Sequence, residues 1–126
     1  MTRNTIQREI VLDAVNSLQF HPTPEEIVEF VNKRYPNISR STVYRNLNIL
    51  EQSGVILRVR IPNAADRFDF NVTNHYHIVC EKCGRVDDLE MPYLDNLNSN
   101  IINSNGYSVN SHSIVFFGEC PDCNKN

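Results

Sequence analysis

Four cysteines arranged as two C-x-x-C pairs are the residues of this sequence best suited to hold a metal. The pairs are Cys80 with Cys83 and Cys120 with Cys123. Two thiolates in a tight turn can coordinate one ion, and four thiolates suit tetrahedral zinc. Disulfides are rare in a reducing compartment, and a dithiol redox role lacks its usual βαβ setting. We therefore predict one structural zinc ion shared by the two pairs.

A second set of candidate ligands combines histidines with carboxylates. His75 and His77 stand two residues apart in HYHIVCEKCG, so on a β-strand both would project from the same face. Further ligands are available at His21, Asp69 and Asp88, with Asp87 adjacent. Imidazole and carboxylate groups suit iron(II), manganese(II) or zinc, whereas four thiolates form a softer, closed site. Two metals are therefore predicted, although each added residue taken alone is more often an ordinary surface residue.

Length and composition indicate a chain that needs such a metal for stability. With 126 residues it forms one domain or two lobes of about 60 residues each, and lobes of that size bury little core. Residues 1–72 carry nine basic and eight acidic side chains, while residues 73–126 carry three and seven. No apolar run approaches the length of a membrane span, and the segment MTRNTIQREI has no signal core. These features predict a cytoplasmic protein with an acidic C-terminal lobe.

The first 54 residues predict three helices. Apolar residues recur at helical spacing from Ile6 to Leu18. The second helix should start with Thr23 as N-cap and Glu26 three residues later, which is a capping box. The third should follow Ser39 as N-cap, and its predicted core face consists of Val43, Leu47 and Leu50.

Two alternating segments follow, VILRVR and RFDFNV, on either side of the turn PNAAD. They predict a two-stranded hairpin. One face of the first strand should carry Val55, Leu57 and Val59, and one face of the second should carry Phe68, Phe70 and Val72. Three helices and a hairpin are the order of a winged helix, in which the third helix enters the major groove of DNA. A polar helix face is by itself often only solvated, but the hairpin favours DNA contact. The predicted DNA-contacting residues are Arg40, Ser41, Thr42, Tyr44, Arg45 and Asn48.

The remaining chain predicts a small α+β lobe after a hinge at residues 71–74. Strands are expected in HYHIVCE, GRVDDLEMP and YSVNSHSIVFFGEC, and a helix is expected in YLDNLNSNIINSNG. The fold class is therefore α+β, with an N-terminal winged-helix domain at residues 1–72 and a second domain at residues 75–126.

Five segments together resemble the ferric uptake regulator family of metal-dependent bacterial repressors. They are FHPTPEEI, SRSTVYRNLNIL, DRFDF, HYHIVCEKCGRVDDLE and GECPDC, in the family's order and spacing over nearly the whole chain. The resemblance implies a homodimer that binds double-stranded operator DNA, with residues 75–126 forming the dimerisation domain. It also implies structural zinc on the four cysteines and a regulatory Fe²⁺ or Mn²⁺ on His21, Asp69, His75, His77 and Asp88.

Asp88 indicates the branch of that family. Iron-responsive members typically have glutamate at this position, whereas the peroxide-sensing branch, PerR, has aspartate. The resemblance therefore implies a repressor that senses peroxide by iron-catalysed oxidation of His21 and His75. An iron- or zinc-responsive uptake regulator of the same family is the alternative. Asp95 and His112 correspond to a third metal site of some relatives, which we do not predict here.

Two other functional classes fit the sequence less well. A zinc enzyme would need an open metal position beside a general base, and the sequence has neither H-E-x-x-H nor the paired motifs of a zinc deaminase. We therefore do not expect an enzyme. A plain interaction module would bind DNA in a salt-dependent way that is indifferent to metal.

Overall fold

The computed structural model describes residues 2–125, so Met1 and Asn126, the outer limits of the two predicted domains, lie outside the described residues. The chain divides into two compact units, Met1–Thr73 and Asn74–Asn126. Among residues 2–125, none of the helices combines the length and the apolar content that spanning a bilayer requires.

The first unit begins with three helices, α1 (Arg3–Leu18), α2 (Pro24–Arg34) and α3 (Arg40–Gln52). The predicted capping box of α2 is present, because Thr23 accepts from the backbone of Glu26 and the Glu26 side chain accepts from the backbone of Thr23. Ser39 caps α3 as predicted. Gly54 follows α3 with a φ of 75°, which a residue without Cβ adopts at little cost.

The core of the first unit lies between the three helices. The predicted face of α3 is confirmed, since Val43, Leu47 and Leu50 are all buried. From α1 the fully buried residues are Val11, Ala14 and Val15. Ile6 was expected in this core but is 46% exposed. It lies in the first turn of α1 and lines an open groove rather than the packed interior.

The hairpin consists of β1 (Leu57–Val59) and β2 (Arg67–Asp69), paired antiparallel with Leu57 opposite Asp69. Both strands are shorter than predicted, and the expected alternation was wrong at their outer ends. Val55 is exposed and Ile56 is buried. Their backbone N–H groups both donate to the carbonyl of Leu50 in the last turn of α3, so these two residues belong to a turn and not to the strand. Phe70 and Val72 are also exposed, since β2 ends before them.

Arg58 of β1 joins the hairpin to α3. Its guanidinium donates to Glu51 at 2.8 Å and to Asn48 at 2.5 Å, both on α3. A third bond of 3.2 Å reaches Asp66, just before β2, and the guanidinium carbon lies 4.8 Å from the centroid of the Phe68 ring. Because this cation is shared by three elements, it fixes the hairpin against the polar face of α3.

The second unit contains a three-stranded sheet in the order β4-β3-β5. The strands are β3 (Tyr76–Cys80), β4 (Val86–Leu89) and β5 (Val115–Gly118). β3 pairs antiparallel with β4 and parallel with β5. The expected long final strand is therefore only the four residues of β5.

The predicted helix in residues 93–106 was wrong, because only one 3-10 turn forms there, at Leu97–Asn100. This segment is rich in asparagine and serine, whose side chains compete with helical backbone hydrogen bonds. Ser99 Oγ donates to the carbonyl of Asn96, and Asn103 Oδ1 accepts from the backbone of Asn105. Asn105 and Gly106 both have positive φ, which ends any helical continuation.

Candidate metal centres and nucleic-acid interface

The four cysteines are brought together by the parallel pairing of β3 with β5. Cys80 is the last residue of β3 and pairs with Gly118, the last residue of β5. Cys120 follows two residues later and so lies at the same end of the sheet as Cys80. The backbone N–H of Gly84 bonds to the carbonyl of Cys80, and that of Cys123 bonds to the carbonyl of Cys120, which closes two tight turns. All four sulfur atoms lie within 4.8 Å of one another.

The spacing and the charge of this cluster fit a tetrahedral zinc ion. The sulfur atoms of Cys83 and Cys120 are 3.8 Å apart, and zinc–sulfur bonds of about 2.3 Å in a tetrahedron give an edge of about 3.8 Å. Hydrogen bonds from the backbone N–H groups of Cys120 and Cys83 lower the pKa of the Cys80 thiol to about 6. Hydrogen bonds with Cys120 and Cys80 raise the pKa of Cys123 to about 12. One thiolate forms readily, and all four require a compensating cation.

In the second unit, Asp88 lies against both histidines of the HYH segment. Its Oδ1 is 3.0 Å from His75 Nε2 and 3.3 Å from His77 Nε2, and the two imidazole centroids are 4.4 Å apart. The strand register causes this arrangement, because His77 is directly opposite Asp88. Asp87 points elsewhere and binds Arg85 at 2.7 Å. These three predicted ligands are therefore grouped, and the adjacent carboxylate is engaged with a cation.

In the first unit, His21 and Asp69 form a buried pair. His21 Nε2 is 3.2 Å from Asp69 Oδ2, and the two residues are 7% and 2% exposed. His21 has a φ of 51°, and its carbonyl accepts a hydrogen bond from Arg67 at 3.1 Å. Asp69 Oδ1 accepts from the backbone of Asn71 at 2.9 Å. A buried imidazole held beside a carboxylate in an uncommon backbone conformation is typical of a functional site.

His112 has a different environment. Its Nε2 lies 2.7 Å from the hydroxyl of Tyr76, its Nδ1 lies 3.1 Å from Asn98 Oδ1, and its ring stacks on Tyr93. Both ring nitrogens thus have protein partners. Asp95 is exposed near the 3-10 turn.

The six predicted DNA-contacting residues occupy the expected face of α3, but most of them are engaged within the protein. Ser39 Oγ bonds to the hydroxyls of Ser41 and Thr42. Asn48 binds Arg58 of the hairpin. Arg45 is exposed to solvent.

Arg40 and Tyr44 both bind Glu25 of α2. Neither Glu25 nor Arg58 was predicted to bind this face, because the residue spacing within one helix does not reveal partners on another element.

Both the sequence and the structure are similar to those of known proteins. The sequence profile that describes the ferric uptake regulator family matches residues 1–117. A peroxide-responsive repressor PerR of Staphylococcus epidermidis is 36% identical over 121 residues, which cover 96% of this chain and 81% of that protein. The solved structure of a Campylobacter jejuni peroxide stress regulator matches with a TM-score of 0.74 and 31% sequence identity. The match covers 96% of this chain and 91% of that one.

A second structural neighbour is the Helicobacter pylori ferric uptake regulator, which is described as having three functional metal-binding sites. It is 28% identical to this chain, with a TM-score of 0.76 and coverage of 95% and 81%.

Cys80→Ser should abolish zinc binding and either unfold the second unit or leave it unable to self-associate. Cys80 accepts hydrogen bonds from both turns of the cluster, at 3.5 Å and 3.3 Å, and a lobe of this size relies on its metal. Elemental analysis and size-exclusion chromatography measure both effects. Lys82→Ser, an exposed change inside the first turn, serves as control. A folded, zinc-free Cys80→Ser protein with unchanged size would refute the structural role.

Proposed function

The chain belongs to the ferric uptake regulator family, and we propose that it is a metal-dependent bacterial transcriptional repressor of the peroxide-sensing type. The observation that carries this proposal is the placement of Asp88 against both His75 and His77, beside a separate four-sulfur cluster. A closed thiolate site and a mixed nitrogen and oxygen site in one chain serve different ions. Such a pair suits a protein with one permanent and one responsive metal.

We assign zinc to the four cysteines and Fe²⁺ or Mn²⁺ to His21, Asp69, His75, His77 and Asp88. The donor types support this division, because imidazole and carboxylate groups favour these harder ions. In each unit the Nε2 atom of a histidine already lies within 3.3 Å of a carboxylate oxygen. The side chains of each half are therefore oriented toward one another.

The two halves of the regulatory set lie in different units of the chain. His21 and Asp69 belong to the unit that carries α3, and His75, His77 and Asp88 belong to the other. When all five residues bind one ion, the winged helix is restrained relative to the second unit. Operator half-sites have a fixed spacing, so this restraint favours the form of the protein that matches them.

Iron(II) held by these ligands would supply the electron that cleaves the O–O bond of peroxide; one oxygen atom would then enter a C–H bond of a nearby imidazole, and the other would leave as water. We propose that His21 and His75 are the residues that gain oxygen. Because His21 is the only histidine ligand from the first unit, its oxidation removes that unit's nitrogen ligand and leaves Asp69 alone. The winged helix is then released and the operator is freed. Manganese(II) in the same ligands supports DNA binding without this reaction.

We further propose that the protein acts as a cytoplasmic homodimer on double-stranded operator DNA, as a regulator rather than an enzyme. Large apolar side chains of the second unit support self-association, since Ile102, Tyr107 and Phe117 are 102%, 77% and 51% exposed. Phe117 lies on β5, an edge strand of the sheet. Exposed apolar surface at a sheet edge is a common site of subunit pairing.

An iron- or zinc-responsive regulator of the same family is the second candidate. The similarity to the Helicobacter pylori ferric uptake regulator favours it. Asp88 distinguishes the two readings, because the shorter carboxylate is the feature that matches the peroxide-sensing branch. The peroxide response of the iron-loaded protein therefore decides between them.

Iron-loaded protein exposed to peroxide should lose operator binding and gain oxygen on the peptides that contain His21 and His75. Manganese-loaded protein treated in the same way should retain both its operator and unmodified peptides. Peptide mass spectrometry and gel shifts on operator DNA selected with the manganese-loaded protein provide the measurements.

Asp88→Glu is the matched variant, which we expect to bind DNA with metal and to ignore peroxide. Iron-loaded wild-type protein that keeps its operator, with unmodified histidine peptides, would favour the second candidate instead.

Arg45→Ala should weaken operator binding by roughly ten- to a hundredfold, because an exposed arginine on the major-groove helix is worth about 1–3 kcal/mol in a base contact. Zinc content and protein size should not change. Fluorescence anisotropy with labelled operator gives the affinity. Arg34→Ala, an exposed arginine at the end of α2, is the control. Equal effects of the two substitutions would show that α3 is not the recognition helix.

A further inference from the structure

Glu25, near the start of α2, binds two of the predicted DNA-contacting residues of α3. Arg40 NH1 donates to Glu25 Oε2 at 2.6 Å, and Arg40 NH2 also pairs with Glu25 Oε1. The Tyr44 hydroxyl donates to Glu25 Oε1 and accepts from Arg40 NH2 at 3.2 Å. The guanidinium carbon of Arg40 lies 5.1 Å from the centroid of the Tyr44 ring. The three side chains thus form a closed network on the surface of the first unit.

The position of Arg40 explains why a carboxylate is needed there. Arg40 is the first residue of α3, where the helix dipole is positive and a cation is unfavourable. The first turn of α3, residues 40–43, contains no acidic residue of its own. Glu25 supplies the missing negative charge from the neighbouring helix. The bond to Glu25 also raises the pKa of Tyr44, so its hydroxyl stays protonated and continues to donate.

A DNA phosphate would be the competing anion for Arg40. Each cation that neutralises a phosphate adds to affinity for any DNA sequence and to the salt dependence of binding. While its two terminal guanidinium nitrogens, NH1 and NH2, are bound to Glu25, Arg40 adds little to this non-specific attraction. Tyr44, held in one orientation by the same carboxylate, is prepared for a defined contact.

We propose that Glu25 is a specificity-determining residue, which withholds Arg40 from DNA phosphates and fixes the orientation of Tyr44. The inference rests on the proposed DNA-binding function and assigns to Glu25 the control of discrimination between operator and other DNA. Glu25 is a positioning residue in this role, because it acts through Arg40 and Tyr44.

The network can be altered without unfolding the protein. The side chains of Arg40 and Glu25 are 63% and 55% exposed, and exposed ion pairs contribute little to stability. Glu25→Gln keeps the shape of the side chain and removes its charge. Glu29→Gln removes the same charge one turn later on α2, where Glu29 pairs with the exposed Lys33. The two variants therefore have the same net charge, and only the first disturbs the network.

The experiment measures the affinity of zinc- and manganese-loaded full-length protein for an arbitrary duplex and for the selected operator, each across a range of salt concentrations. For Glu25→Gln we expect tighter binding to the arbitrary duplex, by a few-fold to about tenfold. The slope of log affinity against log salt should steepen by about 0.9 per protomer. The ratio of operator to arbitrary affinity should fall, because the freed Arg40 strengthens binding to any duplex and the neutral amide holds Tyr44 less firmly than the carboxylate. Glu29→Gln should match the wild-type slope and ratio.

The double variant Glu25→Gln/Arg40→Gln identifies the cation responsible. The added salt dependence should disappear in it, since the guanidinium that reaches the phosphate is gone. If Glu25→Gln behaves like Glu29→Gln, or if the added salt dependence persists in the double variant, the inference is overturned while wild-type operator binding still supports the proposed function. A wild-type protein that binds no DNA with metal would overturn both.

Discussion

The register of β3 against its two neighbours is the constraint on which both candidate metal centres of the second unit depend. Antiparallel pairing with β4 sets His77 directly opposite Asp88. Parallel pairing with β5 sets Cys80 opposite Gly118 and so delivers Cys120 to the first cysteine turn. A slip of one residue between β3 and β4 would turn Asp87 toward the histidines in place of Asp88.

The opposite face of β3 is held equally firmly. Tyr76 is 1% exposed, and its hydroxyl bonds to His112 at 2.7 Å and accepts from the backbone of Leu94 at 3.1 Å. These bonds hold the irregular segment that follows β4 against the sheet, in place of the helix that its polar composition does not form. Tyr76, which lies between the two histidines in the sequence, thus holds the strand from the face opposite to them. The proposed zinc fixes the C-terminal end of β3 at Cys80, and Tyr76 fixes its N-terminal end.

In the first unit, charged side chains on other elements organise the polar face of α3. Glu25 of α2 engages Arg40 and Tyr44, while Asn48 is bound by Arg58 of the hairpin. The face predicted to contact DNA is therefore a pre-arranged surface and not a row of independent side chains. Pre-arrangement reduces the ordering cost of recognition and limits attraction to arbitrary phosphates.

Local sequence signals predicted the three helices of the first unit and each C-x-x-C pair, because each depends on residues close in the chain. The capping box of Thr23 and Glu26 and the buried face of α3 are cases of this kind. The predicted helix in residues 93–106 was wrong because side-chain hydrogen bonds compete with helical ones, and the predicted face of Ile56 was wrong because the strand starts after it. The prediction was incomplete for Glu25 and Arg58, because their partners lie on other elements. The choice of Asp88 over Asp87 rested on family resemblance, and in the structure only the strand register separates the two carboxylates.

The central claim is that filling the histidine and carboxylate set and binding operator DNA are one coupled process. Coupling of two ligands must be reciprocal, so each tightens the binding of the other by the same factor. The most direct test is the affinity of zinc-loaded protein for Mn²⁺, measured by calorimetry with and without saturating operator DNA. We predict that operator DNA tightens Mn²⁺ binding by the same factor by which Mn²⁺ tightens operator binding. The same Mn²⁺ affinity in the presence and absence of operator would contradict it.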